Sequence, residues 1–515
     1  MPRLPPYRHE LRHVVKPLVD AFTADRERAD HRRFESVLDA IAAGIQDDQW
    51  SVQTIEQQYC TVVSKCRENP QEVTDAEIAE AIGAATIGTY TDILGIFYQL
   101  TGRSSDYFDQ FFTPPNVAEG TATMAVAARD EFDRPEIDTE TVTGQSSFDV
   151  FAENDDRTGG TSTSECSVLS CMDRTDGDET VIFDPACGSG RLLLAGARVT
   201  TGTVALGWDA AYTAARMAAL TLALTQTPGW VVQGDSTTLE ANTVWRIAPE
   251  TSSTLESVTV SETPAFPTEH STTPDSISDV PRLSAEVTGS STVVEEIRDV
   301  LAHGVDLTVG NPPFGDAVIS DGGGVVDRGR FALAQKSVGD RSSGTRSSVG
   351  YEWLMFELAA DLTRPTGAVC FVVPMSALAA PSEKQQRGWL TDEMYLTASV
   401  ELPAPTFAPE TNTRTGMLTA VPRTTSEQGL MLDYQVYMAQ ADVMGHDARA
   451  APISMTRDDG EVTVPVCETS RSYAAHRWLG KDLVVVPDDD LPVIVARYLD
   501  FDSVTEGEGK PVNPG

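Results

Sequence analysis

At 515 residues the chain is long enough to bury a large core and to form two or three domains. Its 77 acidic against 38 basic residues give a formal charge of -39, and only Lys16, Lys65, Lys336, Lys384, Lys481 and Lys510 of the basic residues are lysine. With 41% hydrophobic residues this excludes a disordered acidic chain and looks like a globular protein from a salt-loving organism.

Residues 1–108 read as a helical domain. In HRRFESVLDAIAAGI the apolar residues Phe34, Val37, Leu38, Ile41 and Ile45 recur at helical spacing. Thr74-Asp-Ala-Glu77 is a capping-box pattern, in which the threonine hydroxyl accepts an orphan amide bond and Glu77 returns one, so a helix is expected from Asp75. A second apolar run, TDILGIFYQLTG, closes at Gly102. From 131 to 178 the sequence is polar and irregular and reads as a loop or insertion. DETVIFDPACGSGRLLLAGARV then predicts a strand at Val181–Phe183, a glycine-containing turn and a helix from about Arg191. TVALGWDAAYTAARMAALTLAL predicts a strand ending at Trp208-Asp209 and an apolar helix, and WVVQGDS a strand ending near Asp235. Strand, helix, strand, helix, strand implies a parallel sheet with crossovers.

Ser236–Val300 departs from that rhythm. It is rich in Ser, Thr and Pro, has 11 acidic against three basic residues, and reads as a solvated insertion that the fold can spare. The sheet resumes with VDLTVGNPPF. YEWLMFELAADL predicts a helix, AVCFVVP a strand buried on both faces, and ASVELPAPTF and TGMLTAV two further strands. From about 421 the signal weakens, and EGEGKPVNPG predicts a loose tail.

Two motifs carry chemistry. Asp184-Pro-Ala-Cys-Gly-Ser-Gly190 falls between a strand and a helix, where ligands bind at carboxyl ends of strands, and Gly188 and Gly190 permit a tight turn and close approach of a ligand. Asp209 and Asp235 end the next two strands. A carboxylate at the first of these positions suits a ribose diol, although a strand-end aspartate also serves simply to cap the next helix. Asn311-Pro-Pro-Phe314 ends the fourth strand, with two prolines that stop both helix and ladder and hold an amide and an aromatic ring rigidly.

FDPACGSG, GWD, GDS and GNPPFG, in that order, resemble the motifs of S-adenosylmethionine-dependent N6-adenine DNA methyltransferases, and Gln110-Phe-Phe-Thr-Pro114 resembles the segment those enzymes place before the glycine turn. The helical N-terminus, GAVCFVVP and VELPAPTF…TGMLTAV resemble the modification subunit of type I restriction–modification systems. The resemblance spans roughly residues 75–420. It implies an α/β fold, a Rossmann-like seven-stranded methyltransferase sheet over 109–420 with insertions near 131–178 and 236–300, behind the N-terminal helical domain and before a C-terminal segment, 421–515. It implies S-adenosylmethionine held by Gln110, Phe112, Thr113, Asp184, Ala186, Cys187, Gly188, Ser189, Gly190, Asp209, Asp235 and Asn311. Methyl transfer to a flipped adenine would fall to Asn311, Pro312, Pro313 and Phe314: Asn311 and the Pro312 carbonyl would accept from the N6 hydrogens while Phe314 stacks on the base. The implied partners are double-stranded DNA, a separate specificity subunit, since no recognition module is visible in 236–300 or after 421, and a restriction subunit.

Gly322–Val349 reverses the sign of the chain, with Arg328, Arg330, Lys336, Arg341 and Arg346 against two acidic residues, and is Gly/Ser-rich. It reads as a mobile loop that meets phosphates; in molar salt counterion release adds little, so a DNA-binding protein need not be basic overall. Seven scattered cysteines suggest reduced thiols, and no histidine cluster or second cysteine pair accompanies Cys166 and Cys171, so no metal is expected. MPRLPPYRHELRHVV has no apolar signal core and no run reaches about 18 apolar residues, so a cytoplasmic location without membrane contact is expected. Two other functions stay open: an N-methyltransferase of a protein or RNA substrate, and a non-catalytic subunit that only binds cofactor.

Overall fold

The computed structural model describes residues 8–24, 31–50, 54–101, 112–132, 134–135, 179–239, 241–248, 255–259, 291–320, 326–327, 331–335, 346–408, 411–430, 432–449, 451, 453–457, 460–461, 463–465, 483–485 and 488–501. The N-terminal part forms α1 (Arg8–Thr23), α2 (His31–Gln46), α3 (Ile55–Glu68), α4 (Asp75–Thr89) and α5 (Ile93–Leu100). On α2 the predicted stripe turns inward: Phe34, Val37, Leu38 and Ile41 are buried and Ile45 is half-buried. Helix α4 starts on the expected capping box. Glu77 N–H donates to the Thr74 hydroxyl at 3.2 Å and Thr74 N–H donates to the Glu77 carboxylate at 2.8 Å.

After α6 (Pro115–Glu131) the chain runs through β1 (Thr180–Asp184), α7 (Arg191–Val199), β2 (Thr203–Asp209), α8 (Tyr212–Leu224) and β3 (Gly229–Gln233). Next come β4 (Thr243–Ile247), β5 (Leu255–Thr259), α9 (Ser291–His303), β6 (Val305–Gly310), β7 (Asp316–Ser320), β8 (Val326–Asp327) and β9 (Ser348–Gly350). Then follow α10 (Tyr351–Leu362), β10 (Thr363–Pro374), α11 (Met375–Ala379), α12 (Lys384–Glu393), β11 (Met394–Leu402), β12 (Thr415–Pro422), β13 (Tyr437–Gln440) and α13 (Leu491–Leu499).

The expected α/β sheet is present but larger than seven strands. It has ten, in the order β13-β11-β12-β10-β6-β1-β2-β3-β4-β5. The seven from β11 to β3 are the predicted strands, with β12 antiparallel between β10 and β11, and β4, β5 and β13 extend the edges. Alternation along β1 divides the core into two layers. Val181 and Phe183 face α9 and α10 with Val293, Ile297, Leu354 and Leu358, while Ile182 faces α6, α7 and α8 with Met124, Leu193 and Ala218. The N-terminal helices close a third core that takes Met217, Leu220 and Leu224 from α8, and Arg216 of α8 reaches Glu35 of α2 at 2.8 Å and Asp39 at 2.5 Å.

Two readings are corrected. The segment 236–300 is not wholly an insertion: β4 and β5 are strands of the main sheet, Val244, Trp245 and Ile247 are buried, and α9 sends Val293, Val294, Ile297 and Val300 into the core. An average rich in Ser, Thr and Glu concealed two five-residue strands. Glu296 of α9 ties this edge, accepting from the Trp230 indole at 3.1 Å and the Arg246 guanidinium at 3.0 Å. A chain lacking 241–289 is therefore expected to lose its cooperative melt or to melt far lower, because the outer edge of β3 would lose its ladder and its apolar cover. A melting temperature unchanged from the full chain would refute that.

Nor is the described part of 322–349 loose. Phe331, Leu333 and Ala334 are buried, and Glu357 of α10 accepts from the backbone N–H groups of Ala332 and, at 3.0 Å, of Leu333. At the C-terminal side, α13 buries Leu491, Ile494 and Tyr498 against the α6 layer of the core. The proposed tail after 505 lies outside the described residues, as does almost all of the 131–178 insertion.

Candidate active site

The chain order places β2 and β3 on one side of β1 and β6 and β10 on the other, so the sheet changes direction between β1 and β6. In open α/β sheets ligands bind outside the carboxyl ends of strands at such a switch point. Both motifs leave from there: the glycine turn follows β1 and Asn311-Pro-Pro-Phe314 follows β6.

The turn is wired to the end of β2. Asp184 accepts from the Ala186 N–H at 3.0 Å, Cys187 N–H donates to the Trp208 carbonyl at 2.8 Å, and Gly188 N–H donates to Asp209 at 2.8 Å. The other Asp209 oxygen accepts from Ala211 N–H at 2.8 Å, so this carboxylate holds both the glycine turn and the turn that leads into α8. Gly188 (φ +55°) and Gly190 (φ +83°) adopt left-handed backbone. They differ in surroundings: a methyl group on Gly190 would sit 3.2 Å from Ala218 of α8, while one on Gly188 would project into open space in the cleft. Gly190→Ala is expected to cost about 2 kcal/mol or more, and Gly188→Ala about 1 kcal/mol, because only the first adds a clash to the backbone strain. Denaturant unfolding of the two variants measures the difference, and an equal cost would refute it.

Asp184 is fully buried. Burial pushes its carboxyl up to about 8, the Ala186 N–H opposes the shift and the negative charge of Asp209 adds to it. Burial likewise pushes the Cys187 thiol well above its usual value, helped by the charges of Asp209 and Asp184.

Strand β6 ends at Gly310, where a side chain would meet the Phe371 ring at 2.8 Å. Beyond it Asn311 is half-buried and Pro312 buried. The Phe314 ring is half-buried and packs edge-on against the buried Phe407, with centroids 6.1 Å apart at 80°. Gly315 then lets the chain turn away, and its carbonyl accepts from Tyr351 N–H at 2.9 Å.

One cleft joins these pieces. It is lined by Phe112, Thr113, Ala186, Cys187, Gly188, Ser189, Arg191, Leu192, Asp209 and Asn311–Phe314, and encloses about 590 Å³ including its open mouth. Of the predicted site residues, Asp184 and Gly190 shape the turn from beneath and do not line the cleft. Asp235 also stands apart: its carboxylate accepts from the Thr237 N–H at 2.9 Å and hydroxyl at 2.6 Å, capping the turn after β3. Gln110, Arg328, Arg330, Lys336 and Arg341 lie outside the described residues. Arg346 is half-buried and donates to the Gln385 side chain.

Sequence reasoning missed Arg191 and, behind it, Asp92. Arg191 donates to the Thr113 carbonyl at 2.6 Å and its guanidinium lies over the Phe112 ring, 5.6 Å from the centroid. Read from the sequence alone, Arg191 is only the first residue of a helix. Among the described residues no group of three or more His, Cys, Asp or Glu side chains is placed to hold a metal, and no helix is long and apolar enough to cross a membrane.

No protein-family model matches the chain. No curated protein matches it either. Solved structures resemble it at low identity. One is a Listeria monocytogenes protein assigned to the class I S-adenosylmethionine-dependent methyltransferases, with 11% identity, TM-score 0.39, and coverage of 80% of this chain and 93% of that one. Another is a Vibrio vulnificus modification subunit assigned to a type I restriction enzyme, with 14% identity, TM-score 0.37, and coverage of 82% and 64%. A third is a Streptococcus thermophilus methyltransferase subunit of a type I restriction–modification system, with 16% identity, TM-score 0.35, and coverage of 78% and 68%. Likeness at this level does not assign the chain to any of those families.

Proposed function

We propose that the chain is an S-adenosylmethionine-dependent DNA methyltransferase that modifies the N6 amine of a flipped adenine, as the modification subunit of a restriction–modification system. The observation that carries this reading is the meeting of the glycine turn, the Phe112–Thr113 strip and Asn311–Phe314 in one cleft at the switch point of the sheet. Either motif alone is compatible with an ordinary strand end.

The residues present fit the cofactor. Gly188 leaves open space where a side chain would stand, Phe112 offers a ring, and the Asp209 carboxylate stands on the cleft wall as an acceptor for hydroxyls. Asp184 Oδ2 lies buried without a hydrogen-bond partner beneath the same turn, free to bond a ligand. Bound there, S-adenosylmethionine supplies a methyl group already activated on a sulfonium. The chain's own part is positioning and electrostatics. Asn311 and the Pro312 carbonyl accept from the two N6 hydrogens and favour a more tetrahedral, more nucleophilic nitrogen, and the N6 proton passes to solvent. Phe314, braced by Phe407, gives the base a face to stack on. Asp235 Oδ1 holds Thr237, and Oδ2 is the oxygen that would accept from the cofactor's adenine amine.

Double-stranded DNA would lie across 322–349, with phosphates met by Arg328, Arg330, Lys336 and Arg341; Arg346, already bonded to Gln385, serves better to anchor that segment. A separate specificity subunit would choose the site, and a restriction subunit would complete the assembly. Single-molecule methylation sequencing of DNA exposed to the chain at high salt, alone and with a candidate specificity subunit, tests these assignments. N6-methyladenine in a defined motif, appearing only with the partner, is the expected result. Methylation by the chain alone would overturn the subunit assignment, and cofactor binding without any methyladenine would overturn the activity.

A further inference from the structure

We propose that Asp92, in the N-terminal helical region, is a positioning residue of the active site: through Ser189 and Arg191 its carboxylate sets both the glycine turn and the Phe112–Thr113 strip. The inference rests on the cofactor-binding reading above, and it makes the helical region a part of the cofactor site.

The Asp92 carboxylate is completely buried and accepts from three residues. Gly95 N–H donates to it at 2.7 Å, which caps α5. The Ser189 hydroxyl and, at 3.1 Å, Arg191 Nε donate to its other oxygen, and Arg191 Nη2 makes an ion-pair contact with that oxygen at 3.0 Å. The arginine side chain is only 8% exposed and the aspartate 0%. Arg191 still has Nη1, which it gives to the Thr113 carbonyl, while its plane covers Phe112. A planar fork can serve two carboxylate contacts, a carbonyl and a ring at once; a point charge cannot. Ser189, Arg191, Phe112 and Thr113 all line the cleft, so one buried anion fixes two of its walls.

A second observation shows that the approach is built in. A methyl group on Gly95 would collide with both the Asp92 carboxylate and the Ser189 hydroxyl. Helix α5 therefore comes to the glycine turn as closely as backbone allows, and only glycine at 95 permits it. A structural contact between two bodies does not require this. Arg216, which joins α8 to α2 through Glu35 and Asp39, achieves that elsewhere without touching the turn.

Isothermal titration of the full chain with S-adenosylhomocysteine and with S-adenosylmethionine, alongside thermal melting, decides the matter for Asp92→Asn, Arg191→Lys and Arg216→Ala. Asp92→Asn is expected to weaken binding roughly ten-fold or more, since small misplacements of positioning groups are costly. Arg191→Lys keeps a charge for Asp92 but loses the Thr113 and Phe112 contacts, so it is expected to weaken binding similarly while melting closer to the unmodified chain. Arg216→Ala is expected to lower the melting temperature and leave both dissociation constants within about two-fold. Asp92→Asn and Arg191→Lys that bind as tightly as the unmodified chain would overturn the inference, as would Arg216→Ala weakening binding as much as they do. Failure of the unmodified chain to bind either probe would instead overturn the cofactor reading itself, and this inference with it.

Discussion

Asn311→Ala is expected to reduce methyl transfer by at least about 100-fold while leaving the dissociation constant for S-adenosylmethionine within a few-fold of its original value. Asn311 follows directly on β6, and the buried Pro312 behind it fixes where its amide stands. The cofactor walls are made largely by other residues: the turn by Ala186–Ser189 and its Asp209 tether, the opposite strip by Phe112 and Thr113. Losing the amide therefore removes an acceptor needed when the N6 nitrogen changes geometry, and little that holds the cofactor. Asn311→Asp makes a useful companion, because it keeps the acceptors and adds a charge to the cleft that Asp209 also lines. Radiolabelled methyl transfer and titration calorimetry on the same preparation separate the two quantities. A parallel loss of binding and transfer would mean that Asn311 builds the cofactor pocket and would remove its assigned role. An undiminished rate would remove the whole assignment of Asn311–Phe314.

Much of this site could be read from the sequence, and the parts that could not be read have definite physical causes. The glycine turn and Asn-Pro-Pro-Phe are local: each motif's geometry is set by neighbours a few residues away, so its residue types announce it. The strands β1, β2, β6 and β10 announced themselves too, because a strand buried on both faces must be almost continuously apolar. Asp92 could not be recognised in this way. A single aspartate before an apolar helix reads as an N-cap, which it also is, and its ion pair lies 99 residues along the chain. The half-burial of Phe314 depends on Phe407, far along the chain. The strands β4 and β5 were hidden by the composition around them, although Val244, Trp245 and Ile247 mark a short apolar run. Asp209 and Asp235 show the limit most clearly. Both end strands of one sheet in the same way, yet only the first reaches the cleft, because the switch point lies beside β1 and the ligand site fades with distance from it.

Asp184→Asn is expected to stabilise the ligand-free protein at pH 8 by an amount on the order of a few kcal/mol, and to weaken S-adenosylmethionine binding. In the folded chain burial raises this carboxyl to about 8, against an ordinary value near 3.8 once unfolded. Between those values the unfolded chain has released the proton while the folded chain still holds it. Stability from this group is thus complete below about pH 4, falls as pH rises, and is lost above about 8. Asparagine is an uncharged mimic of the protonated acid and does not titrate, so the gain should be near zero at pH 4 and grow to its limit by pH 8. Glu357, also pushed up to about 8 by burial, slopes the same way in both proteins and cancels in the difference. Denaturant unfolding of both proteins from pH 4 to 8.5 at constant high salt measures it. If Asp184→Asn is instead destabilising at pH 8, the carboxylate is ionised and partnered in the folded state, and the protonated assignment fails. If it stabilises but binds cofactor as before, the buried acid belongs to the turn alone. Stabilisation together with weakened binding would mean that the fold keeps an acid it would be safer without, because the ligand requires it.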